Sequence, residues 1–125
     1  MTVAPRLGPA VTLAALLAVG GAAGAHAFLE RAEPRDGSVV REAPREVKLF
    51  FTERLEPAYS SARVVDAQGR TVDRGTSGVD RENRAMLRVP VPSLPSGVYT
   101  VLWRVLSVDA HITEGQVTFR VSAGP

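Results

Sequence analysis

Two histidines occur in the 125 residues, His26 and His111, and a carboxylate stands two places before the second, in Ser107-Val108-Asp109-Ala110-His111. Imidazole nitrogens with a carboxylate oxygen are a donor set for a borderline divalent metal. If that stretch is extended, positions 109 and 111 project to the same side, so Asp109 either ligates an ion or holds the His111 tautomer through a hydrogen bond. His26 follows Ala23-Gly24-Ala25. Released there, it would present its α-amine together with its ring, and an amine that titrates at about 7.7 to 8.0 gives up its proton to a metal near neutral pH at little cost. With the ring of His111 this makes three nitrogen donors. Cu(II) heads the divalent affinity order and prefers tetragonal nitrogen and oxygen coordination. The plainer readings are that a histidine after a leader is a solvated terminal residue and that a D-x-H triplet is a surface turn.

The leader itself has three parts. Residues 1–6 carry one positive charge, residues 11–19 are nearly continuous Val, Leu and Ala, and small residues follow at 23 and 25. That is the pattern of a secretory signal peptide. The apolar run is far short of the roughly 20 residues that span a bilayer, and no later segment approaches that length, so a membrane span is not expected. Cleavage after Ala25 makes His26 the first residue. Ala25-His26-Ala27 is also a small-x-small triplet, and cleavage after Ala27 would discard the histidine.

Residues 1–25 hold 16 of the 56 apolar residues and none of the acids, leaving 100 residues, 40 of them apolar. That is enough for one small domain, 26–125, and not for two. With Arg6 set aside, 14 basic residues face 13 acidic ones, which is no footprint for nucleic acid. Cysteine is absent, which excludes disulfide scaffolds, zinc ribbons, iron–sulfur sites and thiol catalysis.

The elements that must position the two histidines read as strands. Period-two alternation is clear over 46–51, 97–107 and 116–121, and weaker over 61–66, 70–74 and 85–89. On 97–107, Tyr99, Val101, Trp103 and Val105 share one face, so Trp103 is expected to pack in the core. Nothing sustains helical periodicity. Prolines at 34, 44, 57, 90, 92 and 95 punctuate the chain, and the spacing predicts an all-β domain, a small Greek-key sandwich or barrel of about seven strands. The arginines are scattered singly and read as a solvated face. No apolar patch is evident, so a monomer is expected.

His26-Ala27, then Glu33-Pro34-x-x-Gly37-Ser38, Pro44-x-x-Val47-x-Leu49-x-Phe51-Thr52-Glu53, Gly97-x-Tyr99-x-Val101-x-Trp103-Arg104-Val105-x-Ser107-x-Asp109-x-His111 and Gly115-x-x-x-Phe119-x-Val121 run in order along the chain. In this series the chain resembles the CopC family of periplasmic copper-resistance proteins. The resemblance covers essentially all of 26–125, and its specific part is Tyr99 to His111.

It implies an immunoglobulin-like Greek-key fold that binds one Cu(II) at one end, through the amine and ring of His26 together with Asp109 and His111. The acid that closes the F-T-E motif makes Glu53 a weak or outer ligand, against the alternative of a solvated strand-end acid. It further implies a soluble periplasmic carrier, without enzymatic turnover, that sequesters copper or passes it to a membrane copper transporter of the CopD type or to another periplasmic copper protein. Two departures stand out. The family usually has glycine between the aspartate and the histidine where this chain has Ala110, and an alanine forced to positive φ there would cost about 1 kcal/mol. After the leader the chain has one methionine, Met86, so no Cu(I) site built from thioethers is expected.

Two other functions are compatible with the residues. A terminal histidine plus a second histidine also forms the histidine brace of copper monooxygenases, but seven aromatic residues in all give no evident flat platform for a polymer. A metal-free immunoglobulin-like structural module would show no change in melting temperature on addition of Cu(II), where a tight site would raise it.

Overall fold

The structure, a computed structural model, describes residues 2–4 and 26–122. The expected leader over 1–25 therefore lies outside the described residues apart from 2–4. The domain is built from eight strands: β1 (Leu29–Glu33), β2 (Ser38–Val40), β3 (Glu46–Phe51), β4 (Ser61–Val65), β5 (Gly78–Val79), β6 (Met86–Pro90), β7 (Gly97–Leu106) and β8 (Ile112–Val121). Among the described residues one 3-10 turn, Pro57–Tyr59, precedes β4. The strands form two four-stranded sheets, ordered β1-β3-β6-β5 and β2-β8-β7-β4. The fold is thus a two-sheet sandwich that does not close into a barrel, and within it β2 runs parallel to β8 while the other pairs are antiparallel.

Alternation decides which residues face inward. Val47, Leu49 and Phe51 of β3, Leu87 and Val89 of β6, Tyr99, Val101, Trp103 and Val105 of β7, and Val117, Phe119 and Val121 of β8 form one buried cluster. Each such side chain contributes about 1.5 to 3 kcal/mol when taken fully out of water. Trp103 lies in that core as expected, with its ring edge-on to Phe51 at 5.1 Å between centroids. Its cross-strand partner is Gly115, and a Cβ there would collide with Trp103 Cζ2 and come within 2.8 Å of Cε2. The indole lies across the bare backbone of β8, which is why no larger residue fits opposite it.

The expected segments differ from the strands in two ways. Residues 70–74 are no strand: a single bridge links Thr71 to Val65, and the chain turns at Gly69, whose φ is 78°. Asp66 holds that turn by accepting the N–H groups of Gln68 and Arg70, and the following stretch covers the open edge of β4, where Asp73 Oδ2 accepts Val64 N–H at 2.8 Å and Ser77 Oγ accepts Ala62 N–H at 3.2 Å. Side chains thereby occupy donors that an edge strand would otherwise leave free for another chain. Conversely, β8 begins four residues before the expected 116, because its first turn's worth of residues pairs with β7 all the way to Leu106↔Ile112.

Candidate metal centre

The hairpin between β7 and β8 carries the D-x-H motif. Its loop is closed by main-chain bonds from Ser107 N–H to the His111 carbonyl and from Ala110 N–H to the Ser107 carbonyl, both 2.9 Å. Such three-residue hairpins end in a left-handed residue, usually glycine. Here that residue is Ala110, at φ 72°. The strain anticipated from the sequence is present, and the backbone reversal it produces turns Asp109 and His111 toward each other.

Ser107 organises the loop from beneath. It is fully buried, bridges to Leu55, donates its hydroxyl to Asp109 Oδ1, and its Oγ accepts His111 N–H at 3.3 Å. The same Asp109 Oδ1 lies 3.3 Å from His111 Nδ1. The Ser107 hydroxyl above all, and then the facing His111, hold the Asp109 carboxyl below the ordinary carboxylate range. An ionised Asp109 accepting from Nδ1 leaves Nε2 of His111 as the ring nitrogen outside that bond.

His26 reaches the same end of the sandwich from a distant part of the sequence. The rings of His26 and His111 are 4.3 Å apart between centroids and inclined at 58°. The main chain of 26–28 is held from both sheets. Thr52, just after β3, accepts Phe28 N–H at 3.0 Å on its hydroxyl, donates that hydroxyl to the His26 carbonyl at 3.3 Å, and gives its own N–H to the Phe28 carbonyl at 2.9 Å. Thr113, on β8, donates its hydroxyl to the Ala27 carbonyl at 2.7 Å. Ala27 itself is completely buried. Phe28, Val108 and Ile112, the neighbours of these ligand candidates in the chain, are exposed apolar residues.

The structure therefore brings His26, Asp109 and His111 together. Glu53 is half-buried on the loop after β3, next to Thr52, and no hydrogen bond or ion pair joins it to the other three. Met86 is buried at the start of β6. Among the described residues no three His, Asp or Glu side chains already stand as a metal cluster. In the sequence Thr52 stood out only as the middle of the F-T-E motif, and Thr113 did not stand out at all. The visible signal for Thr113 is that it falls on the core-facing alternation of β8, at a place where a valine would pack as well.

A family model for the CopC domain matches residues 29–122. Protein YobA of Escherichia coli (strain K12) is 35% identical over 98 residues, which is 78% of this chain and 79% of that protein. Copper resistance protein C of Pseudomonas syringae pv. tomato is 34% identical over 119 residues, covering 89% of this chain and 93% of that one. The crystal structure of CopC from Methylosinus trichosporium OB3b superposes with a TM-score of 0.72 at 37% identity, over 78% of this chain and 94% of that one. With the domain matched from β1 to just past β8, and the sandwich shared with a solved member, this chain belongs to the CopC family.

Proposed function

We propose that the protein is an extracytoplasmic, periplasmic carrier that holds one Cu(II) through the amine and ring of His26 and the ring of His111, with Asp109 orienting the latter, and that it performs no turnover. The observation that carries this reading is the approach of two imidazoles that lie far apart in the sequence. A nitrogen about 2.0 Å from a first-row divalent ion puts its ring centroid about 3.1 Å away, so two imidazoles at right angles around one ion have centroids about 4.4 Å apart. The 4.3 Å separation fits that arrangement. Names of relatives such as copper resistance protein C support copper as the cargo.

The amine is the third nitrogen, and cleavage after Ala25 is what creates it. Burial of Ala27 and the bond to its carbonyl favour that cut over the one after Ala27, which would strip a buried residue from the domain and leave the Thr113 hydroxyl without its acceptor. Asp109 acts here as an orienting group through Oδ1, already shared between Ser107 and His111, while Glu53 is an outer carboxylate at the rim. Protonation of the amine and rings, or reduction to Cu(I) with no thioether cluster to retain it, provides release to a membrane transporter of the CopD type or another periplasmic acceptor.

The test is a protein with one extra residue in front of His26. Losing an outer partner of a metal ligand costs about 10 to 100-fold in affinity, so losing the amine itself should cost more than about 100-fold, read by competition with a chelator. Unchanged affinity would refute the chelate.

A further inference from the structure

The segment that delivers His26 has four main-chain groups engaged: the carbonyls of His26, Ala27 and Phe28 and the N–H of Phe28. The partners come from two places, Thr52 after β3 in one sheet and Thr113 on β8 in the other. Both hydroxyls bond to this segment and not to a strand. At 113 the chain faces Val105 across the hairpin, so an isosteric valine would satisfy the strand and the packing. What a valine cannot do is donate to the carbonyl of Ala27, a residue with no exposure to water that would replace the lost bond. Thr113 also lies two residues after His111, on the strand that His111 immediately precedes, so its hydroxyl ties the His26 segment to the hairpin that carries the second ring.

We infer that Thr52 and Thr113 are positioning residues for the metal centre: their hydroxyls fix the His26–Phe28 backbone so that the nitrogens of His26 stand opposite His111 before any ion arrives. This rests on the copper reading above and deepens it. A terminal residue free to move must be ordered at the moment of binding, and ordering beforehand moves that cost into folding. Affinity and exchange rate are then set partly by two residues that touch no metal.

The experiment compares the secreted protein with its Thr113→Val, Thr113→Ser and Thr52→Val forms. Three readouts are taken: Cu(II) affinity by chelator competition, the electron paramagnetic resonance spectrum of the Cu(II) form, and backbone amide relaxation of Ala27 and Phe28 in the metal-free protein. Thr113→Val and Thr52→Val should each weaken Cu(II) about tenfold or more, the usual effect of removing an outer partner, and alter the spectrum. Thr113→Ser should restore both to near the parent. In the metal-free protein the valine forms should show loosened Ala27 and Phe28 amides. Parent-like affinity, spectrum and amide order in both valine forms would overturn the inference, as would failure of Thr113→Ser to restore what Thr113→Val loses. If the parent protein binds no Cu(II), the copper reading fails by itself, and the amide data still decide whether the hydroxyls hold the segment. Thr52 is exposed, so its valine form keeps the test available if the substitution at 113 unfolds the domain.

Discussion

At the scale of single residues, the site depends on a loop that is strained at one position and buried at another. Ala110 holds a left-handed conformation that costs an L-residue about 1 to 2 kcal/mol relative to glycine. Ala110→Gly should therefore stabilise the metal-free domain by about 1 kcal/mol, after allowing for the extra freedom glycine gains when unfolded. For a domain of this size that is a rise in Tm of about 4 °C or more, measurable by calorimetry. No rise, or a fall, would mean that alanine is not strained there. The departure from glycine was legible in the sequence, but the sign of φ was not, since it follows from how the hairpin beyond Leu106↔Ile112 closes through Ser107 N–H on the His111 carbonyl and leaves three residues to reverse the chain. Ser107 was legible as part of a motif and not as the buried hydroxyl under Asp109, because only the folded hairpin shows what it touches.

At the scale of elements, inward-facing alternation made β3, β7 and much of β8 readable, since each has one face on the core and one in water. β1, with the sequence Leu-Glu-Arg-Ala-Glu, has one buried residue and so no alternation to detect, and β2 and β5 are three and two residues long. In the first sheet the two central strands and the segment after β5 share one charged group. Arg88 on β6 reaches both oxygens of Glu46 on β3, at 2.6 and 3.0 Å, and Asp80 beyond β5 at 3.1 Å. The Arg88 hydrogen bonds depress the Glu46 carboxyl, while the Asn83 N–H and then Arg88 depress Asp80. A carboxylate depressed on folding adds stability that is fully present above its unfolded pKa, about 4.3 for Glu and 3.9 for Asp, and is lost as pH falls through the lower folded value. The parent protein should thus lose Tm as pH drops below about 4.5, and Arg88→Met should lose less over the same interval. Parallel Tm curves from pH 7 to 2 for the two proteins would contradict this role for Arg88.

At the scale of the whole molecule, the sandwich brings residues 85 positions apart to one end, His26 anchored between the two sheets and His111 at the head of β8. Sequence alone suggested the pair because no other histidines exist. What it did not contain was the means of alignment: two threonines in ordinary strand-end positions, meaningful only once β3 and β8 face each other. A domain that starts at His26 should capture one Cu(II) with the amine that cleavage exposes. The most direct test is the intact mass of the secreted protein, under conditions that preserve bound metal, with and without one equivalent of Cu(II), for the parent, His26→Ala and His111→Ala. The parent should begin at His26 and take up one copper, with tight uptake lost in both variants. A chain that begins at Phe28, or copper retained undiminished in either variant, would contradict it.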